Sequence, residues 1–139
     1  MAGQYYFNRW AGVLDQQIGY KIAEAIPVLN LIGQTRPQQL LALIKKADVV
    51  LCPDTGPSHM ACAVGTPVIA LHAVTSAEVS GPYMFRHLAV DYYPLAVEKI
   101  LNRTVEANQW GTHAHGEETM SLIPVESVIA QFDAFFSCH

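Results

Sequence analysis

Two apolar runs, joined by a short polar turn and a segment of small residues, constrain the fold of this 139-residue chain more than any other feature. The first run covers residues 49–52 (VVLC) and the second covers residues 67–71 (PVIAL). Residues 57–64 between them are typical of a helix that ends at Gly65. A strand, a helix and a strand within about 25 residues predict a βαβ unit with parallel strands and a right-handed crossover. Because the first run is apolar throughout, we expect its strand to be covered on both faces.

The other segments extend this pattern to an α/β fold. Residues 10–26 predict a helix in two pieces that is broken at Gly19, and residues 28–32 predict a short strand. Further helices are predicted over residues 37–46, 95–102 and 124–136, with a strand over residues 87–90 and a polar loop over residues 112–119. The inner face of the last helix is predicted to consist of Val125, Val128, Ile129, Phe132 and Phe136. This order of elements predicts a single α/β domain over residues 1–139, with a parallel sheet and flanking helices.

The composition narrows the classes of partner. Hydrophobic residues make up 51% of the chain and the formal net charge is -4, so we expect a compact globular protein. Lys and Arg are scattered, which argues against nucleic acid as a main partner because a phosphate backbone requires a basic stripe. The longest uncharged stretch, residues 55–77, contains histidines, prolines and glycines and predicts soluble core, with no membrane span. No signal peptide is visible, and the three cysteines form no disulfide framework, which fits a cytoplasmic location.

The polar turn, defined as residues 54–59 (DTGPSH), follows the first strand and begins the helix. In open parallel sheets, ligands bind at the carboxyl ends of strands, and the free N–H groups of a helix N-terminus favour anions. Gly56 allows close approach to the backbone, and His59 lies in the first helical turn. The alternative is that Asp54 or Thr55 caps the helix and that His59 is an ordinary surface histidine. Local features support the two interpretations about equally.

A longer pattern favours anion binding. From the polar turn onward the chain matches the signature D-T/S-G-P-x-H-x-A-x-A-x-G-x-P-x-I/V-x-L in register. The matching residues are Asp54, Thr55, Gly56, Pro57, His59, Ala61, Ala63, Gly65, Pro67, Ile69 and Leu71. Residues 31–35 (LIGQT) are similar to L-x-G-x-T, residues 8–11 (NRWA) to K-R-W-P/A, and residues 75–83 to T-S/D-P-x-x-T-G-P-Y. In these features the chain resembles glycosyltransferase family 9, the lipopolysaccharide heptosyltransferases.

The resemblance implies a Rossmann-like domain that forms the C-terminal half of a GT-B fold. It implies a nucleotide-sugar donor, usually ADP-heptose, and an inverting transfer to a lipid A–core acceptor that needs no metal or other cofactor. The residues that it assigns to the diphosphate and sugar are Asp54, Thr55, Gly56, Pro57, Ser58 and His59. It assigns the nucleotide base to the loop residues Leu31, Ile32, Gly33 and Thr35, and a sugar loop to Thr75 and Ser76. Asp54 either orients the turn or meets the sugar.

The chain departs from the family pattern in three places. The N-terminal half, which carries the acceptor site and the general base, is missing, so we expect no catalytic residue here and no activity of the isolated chain. No apolar run with a glycine-rich loop occurs between residues 15 and 20, which leaves Glu24 without an assigned role. Residues 72–75 (HAVT) stand where the family has F/Y-G-P-T, and Ala73 is less permissive than glycine.

Other interpretations stay open. The chain is alternatively a truncated, non-catalytic module that binds nucleotide or has a structural role. Homodimer formation is open in both interpretations, because a domain separated from its partner domain would bury its exposed face against a second copy. In the heptosyltransferase interpretation, the acceptor is reached through the missing domain at the cytoplasmic face of the inner membrane. His113 and His115, together with Cys138 and His139, suggest a metal site, but their spacing fits no structural zinc pattern and a solvated loop is the favoured interpretation.

Overall fold

Parallel strands with helices between them recur along the chain in the computed structural model, which describes residues 6–7 and 12–138. Their contacts divide the chain into two compact units, Met1–Leu43 and Ile44–His139. The α/β class predicted from the sequence is confirmed. The single domain over residues 1–139 stays a prediction, and the NRWA segment of residues 8–11 lies outside the described residues.

The first unit contains a small parallel strand pair with a helix between its strands. Strand β1 (Tyr6–Phe7) pairs with β2 (Leu29–Asn30), and helix α1 (Val13–Ala25) connects them. The strand predicted over residues 28–32 is therefore present but shorter, whereas β1 was not predicted. Helix α2 (Pro37–Lys46) has the predicted bounds and extends from the first unit into the second.

The predicted break of the first helix at Gly19 is wrong. Helix α1 is continuous, and Gly19 is its buried residue. A Cβ atom built on Gly19 would meet Cδ1 of Ile32 and would lie 3.1 and 3.3 Å from the amide atoms of Asn30, so the side chains at the end of β2 and just after it pack closely against this glycine. Glycine in a helix interior costs about 1 kcal/mol relative to alanine, and tertiary contacts readily override such a cost.

The second unit is built on a three-stranded parallel sheet with the order β3-β4-β5. Strand β3 (Val50–Pro53), helix α3 (Gly56–Val64) and strand β4 (Val68–His72) form the predicted βαβ unit. Cys52 pairs with Ala70, and β4 pairs in turn with β5 (Val90–Asp91). Helix α3 ends at Gly65, whose φ of 77° is the left-handed conformation that glycine adopts most easily.

Coverage of the strands differs from the prediction for β3. The central strand β4 is buried, with Val68, Ile69 and Ala70 fully inaccessible to solvent. On β3 the burial alternates, and Leu51 is exposed. The prediction that β3 is covered on both faces is therefore wrong. Strand β3 lies at one edge of the described three-stranded sheet, and an apolar run alone does not distinguish an edge strand from a central one.

After β4 the chain forms short elements that close around the sheet. Helix α4 (Ala77–Ser80) is followed by a 3-10 segment (Tyr83–Leu88), β5, and helix α5 (Tyr93–Leu101). The strand predicted over residues 87–90 corresponds to β5, which begins later, at Val90, because the 3-10 segment extends to Leu88. The polar loop predicted over residues 112–119 is partly correct. Residues 112–118 lie outside helices and strands, but Ala114 is buried, and Thr119, also buried, begins a 3-10 segment.

Helix α6 (Val125–Ser137) follows a second 3-10 segment (Thr119–Leu122) and contacts β5. Val128 and Phe132 pack against the core cluster that contains Ile69, Leu88, Val90 and Phe135. Three residues predicted to face inward are exposed instead: Val125, Ile129 and Phe136. Apolar residues of this helix are spread around much of its circumference. The periodicity of the sequence therefore predicted too wide a buried face and omitted Phe135 from it. None of the helices in the described part of the chain is long and apolar enough to cross a membrane.

Candidate functional site

The polar turn lies at the carboxyl edge of the parallel sheet. Strand β3 ends at Pro53 and α3 begins at Gly56, so Asp54 and Thr55 form the connection. The Asp54 N–H donates to the carbonyl oxygen of Leu71 at 3.2 Å, which holds the turn beside the end of β4. The edge at which open parallel sheets bind their ligands is therefore occupied by the start of a helix.

The beginning of α3 has no side-chain cap among the described residues. Thr55 is the extended residue before the helix (φ -148°, ψ 176°), and its hydroxyl donates backward to the Pro53 carbonyl at 3.2 Å. The carbonyl of Thr55 accepts from both the N–H and the hydroxyl of fully buried Ser58, at 3.0 and 2.7 Å. In the described part of the chain, the side chains of Thr55 and Asp54 make no capping hydrogen bond to the helix, so the capping alternative is wrong.

Gly56 is required neither by packing nor by backbone conformation. An added Cβ atom would meet no described atom within 4 Å, and Gly56 is not among the described glycines with positive φ. The space in front of its backbone is therefore open. Pro57 follows in the first turn, where the N–H that proline lacks would have no partner in the helix. An open, uncapped helix start of this kind can donate hydrogen bonds from its backbone N–H groups to an anion, in place of a side-chain cap.

The Asp54 side chain joins the polar turn to the loop that follows β4. The carboxylate is only 11% exposed. Its Oδ2 accepts from the hydroxyls of Thr75 and Ser80, both at 2.6 Å. Its Oδ1 lies 3.6 Å from Nε2 of His59, an ion pair when the imidazole is protonated. The carboxylate therefore points into the protein and fixes the turn, which favours the orienting role over direct contact with a sugar.

His59 combines this internal contact with access to solvent. Its side chain is 58% exposed, and it lies in the first turn of α3. The ring therefore lies beside the open helix start, and its Nε2 faces the Asp54 carboxylate. A histidine in this position can donate a hydrogen bond to an anion at the helix start, and protonation of the ring would add charge to that bond.

The predicted sugar-loop residues have different surroundings. The Thr75 hydroxyl is engaged with Asp54, whereas the Ser76 hydroxyl accepts from the Glu78 N–H at 3.2 Å and caps α4. Both residues line a shallow cleft with Thr112 and His113. Of the two, Thr75 is brought to the polar turn by a direct hydrogen bond.

The predicted base loop belongs to the first unit. It follows β2 and is folded by a bond from the Gln34 N–H to the Leu31 carbonyl at 3.0 Å, with Gly33 at a φ of 73°. The Ile32 N–H donates to the side chain of Asn30 at 3.1 Å. Leu31, Ile32 and Thr35 are half-buried and Gly33 is exposed.

Comparison with known proteins identifies the family. The model of glycosyltransferase family 9 (heptosyltransferase) matches residues 10–115, more than half of the chain. The chain belongs to glycosyltransferase family 9. The parallel sheet with flanking helices is the Rossmann-like architecture expected of this family.

Individual relatives support the same family. The chain is 39% identical over 102 residues to the lipopolysaccharide core heptosyltransferase OpsX of Haemophilus influenzae, covering 73% of this chain and 29% of that protein. It is 32% identical over 110 residues to lipopolysaccharide heptosyltransferase 3 of Escherichia coli K12, covering 77% of this chain and 28% of that protein. The chain thus spans less than a third of the length of these relatives. No solved structure is significantly similar to it.

Against the family 9 pattern, the histidine that replaces an aromatic residue at the end of β4 is buried. His72 is inaccessible to solvent, and its Nδ1 lies 3.3 Å from the Thr75 carbonyl and 4.0 Å from Oδ2 of Asp54. Its Nε2 has no hydrogen-bond partner among the described residues. Sequence reasoning noted the changed loop but not this contact; the available signal was a histidine at the end of an otherwise apolar strand.

Asp91 is a further polar residue that sequence reasoning missed in this family 9 chain. It lies at the end of β5, and its two carboxylate oxygens accept from the N–H groups of Ala77 (2.9 Å) and Tyr93 (2.8 Å). It therefore accepts from the first N–H group of both α4 and α5. Each of the three strands of the sheet thus ends in or beside a polar side chain, from Asp54, His72 and Asp91.

The remaining candidates do not form a second centre in the described residues. The rings of His113 and His115 lie edge to face with centroids 5.3 Å apart, and residues 6–7 and 12–138 contain no group of three or more potential metal ligands. Cys52 is half-buried, and burial together with the nearby Asp54 carboxylate raises the pKa of its thiol to about 12. A thiol with so high a pKa is a poor nucleophile near neutral pH.

Proposed function

We propose that this chain is the part of a heptosyltransferase that binds the nucleotide-sugar donor, and that the polar turn holds the diphosphate. The observation that carries the proposal is the open, uncapped start of α3 at the carboxyl edge of a parallel sheet. The free N–H groups and the partial positive charge of a helix start suit a phosphate group. During transfer, the same groups stabilise the negative charge that develops on the departing diphosphate.

The residues of the polar turn have distinct roles in this proposal. Thr55 and Gly56 bind the diphosphate through backbone N–H groups, and the Thr55 hydroxyl exchanges its 3.2 Å bond to Pro53 for the ligand. His59 donates to the phosphate from the exposed side of the helix. Buried Ser58 and proline at position 57 shape the turn from within. Asp54 orients the turn.

The other substrate contacts rest on the family resemblance. Leu31, Ile32, Gly33 and Thr35 are proposed to contact the nucleotide base, and Thr75 and Ser76 to border the sugar. The donor is proposed to be ADP-heptose and the acceptor the lipid A–core of lipopolysaccharide, at the cytoplasmic face of the inner membrane. The relatives are named as lipopolysaccharide heptosyltransferases, which supports this choice of sugar and acceptor.

The proposed reaction is an inverting transfer without a bound metal. The acceptor site and the general base belong to a part of the protein outside these 139 residues. Because transfer requires acceptor, base and donor to be held in one geometry, the isolated chain is expected to bind donor without transferring heptose. Heptose transfer by the purified chain would contradict this division of roles.

Titration calorimetry with ADP and with ADP-heptose tests the donor assignment. We expect both ligands to bind, and the His59→Ala variant to bind ADP about three- to tenfold more weakly because a charge-assisted hydrogen bond is lost. His87→Ala is the matched control, since His87 is an exposed histidine in the 3-10 segment. No binding of ADP by the unaltered chain, or equal loss in both variants, would contradict the assignment.

A further inference from the structure

Ser80 lies outside the polar turn but bonds directly to it. Its hydroxyl donates to Oδ2 of Asp54 at 2.6 Å, across 26 residues of sequence. Thr75 donates to the same oxygen at the same distance. Bonds from hydroxyls to a carboxylate at 2.5–2.7 Å belong to the stronger, charge-assisted class.

The two hydroxyls restrict how the Asp54 carboxylate can rotate. Both bonds end on Oδ2, so the other oxygen, Oδ1, is left to face His59 at 3.6 Å. Oδ1 is buried and has no hydrogen-bond partner among the described residues. Loss of either hydroxyl would allow the carboxylate to turn and would change what the His59 ring faces.

The segment that carries these hydroxyls is itself held in place. Asp91, at the end of β5, accepts from the N–H of Ala77 at 2.9 Å, at the start of α4. The Ser80 hydroxyl also lies 3.3 Å from the Ser76 carbonyl within the same short helix. Strand β5, at the opposite edge of the sheet from β3, therefore holds the segment whose hydroxyls bond to Asp54.

We infer that Ser80 and Thr75 are positioning residues of the diphosphate site, which act through the Asp54 carboxylate on the ring of His59. They do not touch the ligand in this role, which rests on the proposed function of the polar turn. The Ser80 and Thr75 hydroxyls hold the Asp54 carboxylate, the carboxylate orients the His59 imidazole, and the imidazole donates to the phosphate. Ser80 is the clearer case, because it lies outside both the polar turn and the residues proposed to border the sugar.

Calorimetric titration of the 139-residue chain with ADP tests this inference. Ser80→Ala is expected to raise the Kd for ADP about tenfold, as expected when a bond to a charged group is removed. Ser80→Thr keeps the hydroxyl and is expected to restore binding to within about twofold of the unaltered chain. The matched control is Ser127→Ala, which removes a half-buried serine hydroxyl that bonds to Tyr92 at 2.7 Å, and should leave the Kd unchanged.

A double-mutant cycle separates positioning from a general structural effect. If Ser80 acts through His59, the Ser80→Ala change will weaken ADP binding little further once His59 is already alanine. Additive losses in the double variant, or an unchanged Kd in Ser80→Ala, would overturn the inference while the proposed function stands. Absence of ADP binding by the unaltered chain would overturn both. Circular dichroism of each variant checks that the fold is retained. If Ser80→Ala is unfolded, Ser80→Thr supplies the test. Loss of ADP binding in a folded Ser80→Thr variant would contradict the inference.

Discussion

Replacement of Gly56 by alanine should strengthen the fold and weaken nucleotide binding. A Cβ atom at Gly56 would meet no described atom within 4 Å, and the backbone has no positive φ that alanine would resist. Alanine in a compatible conformation stabilises a protein by about 0.4–1 kcal/mol, because it restricts the unfolded chain. For a chain of this size, that corresponds to a rise in Tm of about 1–4 °C.

The same methyl group would occupy the space that the account gives to the diphosphate. Inserting a methyl into a closely packed contact costs about 1–3 kcal/mol, equivalent to about a 5- to 160-fold increase in the Kd for ADP. Thermal melting followed by circular dichroism gives the first quantity, and calorimetric titration with ADP gives the second. Opposite changes in stability and affinity are the specific expectation.

Gly65→Ala provides the matched control at the other end of the same helix. Gly65 has a φ of 77°, so alanine there is strained and should lower stability by about 1 kcal/mol. Its added Cβ also meets no described atom within 4 Å, and the residue lies outside the polar turn, so ADP affinity should be unchanged below the melting temperature. If Gly56→Ala binds ADP as tightly as the unaltered chain, the ligand does not approach this backbone and the reasoning is refuted.

Four further results are expected. Gly81→Ala should destabilise the chain by about 1–3 kcal/mol in urea unfolding, because its Cβ would lie 2.2 Å from the Ala77 carbonyl oxygen; unchanged stability would show that this backbone relaxes freely. Asp91→Ala should lower stability by about 1–2 kcal/mol in the same assay, because the first N–H groups of α4 and α5 lose their acceptor, and an effect within error would contradict the role of these bonds. Iodoacetamide at pH 8 should label exposed Cys138 well before Cys52, whose raised pKa of about 12 keeps the thiol protonated; equal labelling rates by intact mass would contradict this. In the unfolded chain the Cys52 thiol has its ordinary pKa of 9.0, so it loses its proton at a lower pH than in the folded chain. The contribution of Cys52 to stability should therefore decrease as pH rises from 9 toward 12. Constant stability across that range would count against the raised pKa.

Local sequence rules predicted the elements whose signals are carried within a few residues. Helix α2 has the predicted bounds, and the βαβ unit of β3, α3 and β4 is present with shifts of one residue at its ends. Turn chemistry placed the polar turn at the start of α3. In these segments apolar period, proline and glycine all favour the same structure, so tertiary contacts had little to change.

Features that depend on distant partners were not predicted. Gly19 was interpreted as a helix break because the contact that needs it, with Ile32, forms only after the chain folds back. The hydroxyl of Ser80 was not connected to Asp54, since nothing within either segment indicates a bond across 26 residues. Sequence patterns indicate which side chains share a face, but not what the rest of the chain places against that face.

A structure of the chain with bound ADP tests the central claim most directly. We predict that the diphosphate oxygens lie within hydrogen-bond distance, about 2.7–3.2 Å, of the Gly56 N–H. We also expect the His59 ring to contact the same group while the Asp54 carboxylate keeps its bonds to Thr75 and Ser80. A diphosphate bound elsewhere, with the start of α3 still open to solvent, would contradict the account.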